Sequence, residues 1–201
     1  NLLSLPNYEV ESFFQPSAYL SGDWYDYWKL NEYEVLFYLA DVSGHGVTSS
    51  LLTSWMAAFH GRSKTPRQLI QKLNAMLVQE NIEKHITMVA GILNLQTHEI
   101  TWSSAGHYPP PIIFEPNQAP QILTTSSFPL GLTEDLDVEE HICKLNPDAR
   151  FILCSDGALE PFDGGLNDQF NQLVDHLQNN SFQAPEHVAD DIAILSICRM
   201  N

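Results

Sequence analysis

Positive charge is scarce in this chain. Its 201 residues hold 9 lysine and arginine residues against 25 aspartate and glutamate residues, which gives a formal net charge of -16. A surface this acidic repels nucleic-acid phosphates and anionic lipid headgroups, so we expect neither nucleic acid nor a membrane as partner. The charge suits a protein that gathers divalent cations or meets a basic partner face. Solubility alone would explain the same excess of acid.

Cysteine and long apolar runs are also scarce. Cys143, Cys154 and Cys198 are odd in number and show no CxxC spacing, and two of them lie in the apolar runs FILCSD and ILSICRM. This usage is typical of reduced core thiols in a cytosolic protein. The chain has no signal peptide and no run near the roughly 18 apolar residues of a membrane span. We therefore expect a cytoplasmic protein.

Several catalytic signatures are absent. The eight histidines show neither HxH nor HExxH spacing, which argues against a zinc site. No GxxxxGK[ST] occurs, which excludes nucleotide binding of the P-loop kind. Ser155 lacks the GxSxG context of a serine hydrolase.

The apolar pattern predicts one α+β domain over residues 1–201. We find no internal repeat and no linker, and a start at Asn1 rather than Met suggests a piece of a longer protein. Strands in hairpin-spaced runs with clustered helices favour a layered sandwich over a parallel βαβ sheet. The predicted strands are 8–15, 24–30, 34–41, 86–95, 99–106, 111–114, 121–125, 138–145, 150–156 and 191–199. The predicted helices are 47–61, one that begins at Pro66 after a Thr65 cap, and 167–177.

Acidic residues recur at the ends of the predicted strands. They are Asp23, Asp41, Asp156 and the pair Asp190 and Asp191. Each alone is typical of a turn, but antiparallel strand ends can converge at one edge of a sandwich. Clustered carboxylates repel one another unless cations neutralise them, and Mg²⁺ and Mn²⁺ prefer oxygen ligands. The pattern therefore indicates a two-metal site of the kind that clamps a phosphoryl group during transfer.

Six motifs in one order resemble the metal-dependent Ser/Thr protein phosphatases of the PPM/PP2C family. Within that family, they resemble in particular the bacterial branch that regulates sporulation and sigma factors. The motifs are SGDWYD (21–26), DVSGHG (41–46), SSAGHYPP (103–110), FPLGL (128–132), SDGALE (155–160) and DDIAIL (190–195).

This resemblance implies an α-β-β-α sandwich of two mainly antiparallel sheets flanked by helices. It also implies two Mn²⁺ or Mg²⁺ ions bridged by Asp41. Asp23 and the Val42 carbonyl would bind one ion, and Asp156 and Asp190 the other. Water activated by the metals would attack the phosphorus of a phosphoserine or phosphothreonine.

Two of the proposed ligands have a neighbouring acid as an alternative, and two histidines have more than one possible role. Asp26 is the alternative to Asp23, which we prefer because the family's ligand follows the glycine. Asp191 is the alternative to Asp190, which we also prefer. His45 and His107 could protonate the leaving oxygen, although we favour structural roles for both.

The chain departs from the family pattern in three places. Ser21-Gly22-Asp23 stands where the family usually has GGD, and the segment between Asp156 and Asp190 is short for the family. No arginine lies near the first motif to hold a phosphate. We therefore expect modest intrinsic turnover.

Two functions follow from the resemblance. The first is a phosphatase that forms the C-terminal output domain of a signalling protein, behind a receiver or sensor domain. Its substrate would be a phosphoprotein such as an anti-sigma-factor antagonist. The alternative is a catalytically weak or inactive adaptor module in sigma-factor regulation. The presence of all four acids favours the enzyme.

Overall fold

The structure is a computed structural model that describes residues 5–19, 21–44, 52, 56, 63–80 and 82–201. The strands in these ranges are β1 (Tyr8–Gln15), β2 (Asp23–Lys29), β3 (Glu34–Val42), β4 (Ile86–Asn94), β5 (Glu99–Ala105), β6 (Ile112–Phe114), β7 (Gln121–Ile122), β8 (His141–Lys144), β9 (Arg150–Cys154) and β10 (Ile192–Arg199). The helices are α1 (Pro66–Gln79) and α2 (Leu166–Gln178), and a short 3₁₀ turn spans Asp156–Leu159.

The strands form two five-stranded sheets. Sheet I has the order β1-β10-β9-β6-β7, and sheet II has the order β2-β3-β4-β5-β8. Every strand pairing in both sheets is antiparallel. Leu69 and Leu73 of α1 pack on the outer face of sheet II, and Leu173 and Leu177 of α2 pack on the outer face of sheet I. The predicted α-β-β-α sandwich is confirmed.

Strand β3 shows why the two sheets face each other. Its alternate residues Val35, Phe37 and Leu39 join the core between the sheets, whereas Leu36 and Tyr38 join the core beneath α1. A strand covered on both faces reads as an unbroken apolar run, as VLFYLA does here. By the same alternation Asp41 continues the row of Val35, Phe37 and Leu39 at the end of the inter-sheet core.

The predicted α1 is confirmed in its first turn and its apolar face. The Thr65 hydroxyl accepts a hydrogen bond from the Gln68 amide at 3.1 Å, and Pro66 occupies the first turn. Such a cap satisfies an amide that the helix leaves unpaired. The predicted helix 47–61 lies outside the described residues except for Leu52 and Met56, which are helical and buried against the α1 core.

Most predicted strands match within one or two residues, but two were too long. Strand β7 ends at Ile122 rather than residue 125, and β8 begins at His141 rather than residue 138. Val138 is buried in the core beneath α1, so the residues before β8 pack into that core instead of pairing with β5. Cys154 is buried, and all three cysteines are free thiols.

Within the described ranges, no helix combines the length and apolar character that a membrane crossing requires.

A glycine on β4 lets the inter-sheet core close. A Cβ atom at Gly91 would overlap the ring of Phe37, which packs edge-on against Phe151 with ring centroids 5.7 Å apart. We expect Gly91→Ala to lower the free energy of unfolding by about 1–3 kcal/mol, because the ring cannot move without disturbing both sheets. Urea denaturation measures this loss.

The matched control combines Gly91→Ala with Phe37→Leu. The smaller side chain makes room for the new methyl group, so the double variant should lose less stability than the two single variants summed. Additive losses would show that the overlap is relieved elsewhere.

Candidate functional site

Two carboxylates meet at the end of the inter-sheet core on sheet II. Asp23 and Asp41 are direct partners in the β2–β3 register, and Thr87 is the partner of Asp41 in the β3–β4 register. Directly opposed residues point to the same face, so the three side chains form one row across three strands. Asp23 is buried, with 3% of its surface exposed, and Asp41 is half-buried.

Sheet I supplies the other acids from its strand ends. Asp156 opens the 3₁₀ turn after β9, and Asp190 precedes β10. A Cβ atom at Gly157 would overlap the carbonyl of Asp191, so only glycine lets the two chain segments approach this closely. Asp156 and Asp190 are exposed. The sequence pattern predicts Asp156 and Asp191 within strands, but both lie just outside them, because β9 ends at Cys154 and β10 begins at Ile192.

The acids of the two sheets face a common cleft of about 360 Å³. Its lining includes Asp41, Val42, Ser43, His85, Thr87, Asp156 and Asp190. Asp23 lies buried beside Asp41. The structure thus brings the predicted residues of both sheets to one place.

The adjacent acids Asp190 and Asp191 differ sharply in surroundings. The Asp191 carboxylate accepts hydrogen bonds from the Ser17 amide at 2.7 Å, the Ser17 hydroxyl at 2.9 Å, the Ser21 hydroxyl at 2.7 Å and the Gly22 amide at 2.8 Å. Burial acts to raise the pKa of Asp191, but these bonds outweigh it and hold the pKa below its usual value. Asp191 is therefore occupied in tying β1 and β2 to β10, which supports the preference for Asp190.

Asp26 lies on the other face of sheet II. It is three residues from Asp23, so its side chain points toward the α1 side, where its register partner Tyr38 is buried. Its carboxylate accepts the Tyr27 amide at 2.8 Å. This placement supports the preference for Asp23.

Burial and mutual repulsion raise the pKa values of the clustered acids. Burial raises the pKa of Asp23 to about 9, a hydrogen bond from Ser155 acts against it, and the charges of Asp41 and Asp156 add to it. Burial, followed by the charges of Asp156 and Asp190, raises the pKa of Asp41 to about 7. Partial burial of its carboxyl within the cleft, followed by the charge of Asp190, also raises the pKa of Asp156, although the residue as a whole is exposed. The cluster holds more negative charge than the described residues around it neutralise.

These residues fit hard divalent cations. Asp23 Oδ2 is buried and has no hydrogen-bond partner among the described residues, which is costly unless another group satisfies it. The donors are all oxygens, which Mg²⁺ and Mn²⁺ prefer. No three histidine, cysteine, aspartate or glutamate side chains of the described residues form a ready-made cation cage. Backbone oxygens such as the Val42 carbonyl, and water, would therefore complete the coordination.

Of the two candidate histidines, the structure describes His107, which does not line the cleft. His45 falls outside the described residues. His107 is buried behind the cleft, and burial lowers its pKa to about 4 while a hydrogen bond to the Cys154 carbonyl acts against this. An imidazole that stays neutral near pH 7 has no proton to spare for a leaving oxygen, so the structural role fits His107 better.

Sequence reasoning missed the residues that build the rim near Val42. Lys84 Nζ donates a hydrogen bond to the Ser43 carbonyl at 2.6 Å. The Ser43 amide donates to the His85 carbonyl at 2.9 Å, and the His85 amide donates to the Ser43 hydroxyl at 3.1 Å. These bonds fix the Ser43–Gly44 turn and bring a positive charge beside the cleft. No spacing rule links residues 43 and 84; the β3–β4 register does.

Comparisons with known proteins agree with this architecture. Residues 31–199 match the family described as Stage II sporulation protein E (SpoIIE). The chain is 26% identical over 168 residues to the phosphoserine phosphatase RsbP of Bacillus subtilis, covering 76% of this chain and 40% of RsbP. It is 29% identical over 158 residues to the phosphoserine phosphatase RsbU of the same organism, covering 76% of this chain and 47% of RsbU. The chain thus spans less than half the length of either relative.

Solved structures share the fold. The RsbU and RsbW domains of Rv1364c from Mycobacterium tuberculosis superpose with a TM-score of 0.80 at 19% identity, over 97% of this chain and 60% of that one. The SiaA-PP2C domain of Pseudomonas aeruginosa gives 0.78 at 19% identity, over 96% and 86%. RsbX in complex with magnesium gives 0.72 at 14% identity, over 98% of each chain.

The fold is therefore that of the PP2C phosphatases. The chain belongs to the SpoIIE family, whose match covers most of its length.

The raised pKa values predict that the metal-free protein loses folding stability as the pH rises. A carboxylate whose pKa is higher in the folded state stabilises the fold below its unfolded pKa near 4, and this stability is lost as pH rises toward 9. In EDTA, Asp23→Asn should therefore match wild type near pH 4, where the folded-state carboxyl is protonated and little of this stability has been lost. At pH 8.5 it should exceed wild type by on the order of 2 kcal/mol, about 4–8 °C in Tm.

Thermal melts at the two pH values measure the difference between the proteins. Asp26→Asn on the opposite face is the matched control and should show no such pH-dependent gain. Equal effects of Asp23→Asn at both pH values would contradict a buried, repelling carboxylate at this position.

The different surroundings of Asp190 and Asp191 predict that their substitution changes stability to different extents. Asp191→Asn should lower the free energy of unfolding by about 1–3 kcal/mol, because an amide cannot accept the four hydrogen bonds that Asp191 receives. Asp190→Asn, at an exposed site, should change it by less than about 0.5 kcal/mol. Chemical denaturation in EDTA compares them, and equal losses would refute the division of roles.

Proposed function

We propose that this chain is a metal-dependent phosphoprotein phosphatase acting on phosphoserine or phosphothreonine. The observation that carries the proposal is the meeting of acids from two sheets in one cleft, with the buried Asp23 Oδ2 left without a partner among the described residues. The family, the PP2C fold and the two relatives named as phosphoserine phosphatases support it.

The cations would be two Mn²⁺ or Mg²⁺ ions held by Asp23, Asp41, the Val42 carbonyl, Asp156 and Asp190. When bound, such ions activate a water nucleophile and place positive charge against the transferred phosphoryl group. The magnesium complex of the structural neighbour RsbX supports this choice of ion.

Asp41 is suited to a shared position between the ions. It is the direct partner of the buried Asp23 in the β2–β3 register, and it lines the cleft together with Asp156 and Asp190. Asp41 therefore stands between the buried acid of sheet II and the exposed acids of sheet I. That central place is what a bridging carboxylate requires.

The rim residues would orient the substrate and the loop around it. Lys84 holds the Ser43–Gly44 turn through the Ser43 carbonyl, and its charge lies beside the cleft. A cation there would attract the dianionic phosphate of the substrate. The exposed Asp156 and Asp190 leave this side of the cleft open to a protein-borne phosphoserine.

We further propose that the chain is one domain, the output part of a longer signalling protein with a receiver or sensor domain upstream. Its substrate would be an anti-sigma-factor antagonist. Membership of the SpoIIE family and the greater length of RsbP and RsbU support this proposal.

Hydrolysis of p-nitrophenyl phosphate and of a phosphoserine peptide tests the activity. We expect turnover with Mn²⁺ and none with EDTA. Asp41→Asn and Asp156→Asn should each lower kcat/KM by about 100-fold or more, because each removes a charge that holds the cations.

Asp26→Asn is the matched control, since it removes an aspartate of the same strand pair from the opposite face. It should keep near wild-type activity. Turnover that survives EDTA and both site substitutions would refute the proposal. No turnover in wild type, together with tight binding of a phosphoprotein, would indicate the adaptor function instead.

A further inference from the structure

We infer that His107 is a positioning residue whose imidazole ties the Asp41 row of sheet II to the strand end of sheet I that carries Asp156. The inference rests on the proposed function, because the distance between those acids matters for cation binding. His107 lies in the motif SSAGHYPP, whose residues are not among those that line the cleft.

The two ring nitrogens reach one group on each sheet. His107 Nε2 lies 2.8 Å from the Cys154 carbonyl oxygen, and Nδ1 lies 3.2 Å from the Thr87 hydroxyl. A carbonyl only accepts, so Nε2 carries the proton; in the neutral ring Nδ1 then accepts from the Thr87 hydroxyl. The low pKa of the buried ring keeps it neutral near pH 7, so both bonds persist there.

The hydrogen bond to Thr87 connects His107 to the proposed metal-binding acids of sheet II. Thr87 is the direct β-sheet partner of Asp41 and lines the same cleft. Directly opposed residues have Cβ atoms about 5 Å apart, so the Thr87 side chain lies against the proposed bridging carboxylate.

The hydrogen bond to the Cys154 carbonyl connects His107 to the strand end of sheet I that carries Asp156. The Ser155 amide donates to the Ala193 carbonyl of β10 at 2.9 Å, so the preceding Cys154 carbonyl points the other way, toward β6. Strand β6 begins at Ile112, whose partner is Ile152, and it does not extend to Cys154. His107 supplies the donor that β6 does not, two residues before Asp156.

The backbone before His107 makes this crossing possible. Gly106 follows the last residue of β5 with φ of +61°, a conformation that glycine adopts without strain. Its amide donates to the Ser127 hydroxyl at 3.1 Å, which anchors the turn. The chain thus leaves sheet II at Gly106 and places the next side chain between the sheets.

Titration of metal-free protein with Mn²⁺ by isothermal calorimetry tests the inference without reference to activity. His107→Leu keeps apolar bulk but removes both hydrogen bonds, and it should weaken Mn²⁺ binding by about tenfold or more. His107→Gln retains a donor near the Nε2 position and should recover most of that affinity.

Val35→Ala is the matched control for stability. Val35 is buried in the same inter-sheet core but lies at the opposite end of β3 from Asp41. The Val35→Ala substitution should lower the melting temperature while leaving the Mn²⁺ affinity within about twofold of wild type. If His107→Leu fails to fold, Thr87→Val keeps the side-chain shape, removes the hydroxyl and should weaken binding in the same direction.

Weaker binding in His107→Leu or Thr87→Val but not in Val35→Ala supports the inference. Wild-type affinity in the first two variants overturns it, as does an equal loss in Val35→Ala. Wild type that binds no Mn²⁺ would refute the proposed function, and this inference with it. Binding in wild type that the substitutions leave unchanged overturns the inference alone.

Discussion

The structure depends on holding several carboxylates together at the end of an apolar core, against their own repulsion. Burial and like charge raise the pKa values of Asp23, Asp41 and Asp156 together, so the cluster is unfavourable without cations. The apolar core between the sheets must supply the stability that this arrangement costs. A divalent cation bound here would remove the repulsion and would satisfy Asp23 Oδ2, which has no hydrogen-bond partner among the described residues.

The same charge serves two purposes in adjacent residues. Asp191 is surrounded by donors from the β1–β2 segment and becomes part of the framework. Asp190 is exposed on the cleft, and one of its oxygens accepts the amide of its neighbour at 2.8 Å. The number of nearby donors separates a structural carboxylate from one available to a ligand. A sequence shows two consecutive acids and does not show those donors.

Local signals in the sequence were sufficient where each residue's role is set by its near neighbours. The run in β3 marked a strand covered on both faces, and Thr65 with Pro66 marked the start of α1. The motifs also led to Asp23, Asp41, Asp156 and Asp190, which the structure gathers near one cleft. Their role as metal ligands stays a prediction.

What the sequence could not reveal depends on register and on contacts between the sheets. Lys84 reaches Ser43 only because β3 and β4 pair, and β8 is short because Val138 serves the core beneath α1. The ring of His107 needs Thr87 on one sheet and Cys154 on the other. Partners this far apart in sequence have no spacing pattern, so their pairing emerges only in three dimensions.

The net charge of -16 also constrains the order of events in the proposed reaction. A phosphate dianion that approaches the metal-free cleft meets Asp41, Asp156 and Asp190, and the single charge of Lys84 does not offset them. Cations meet attraction in the same field, from the cleft and from the surface as a whole. Metal binding should therefore precede substrate binding, because it turns the cleft from one that repels phosphate into one that holds it.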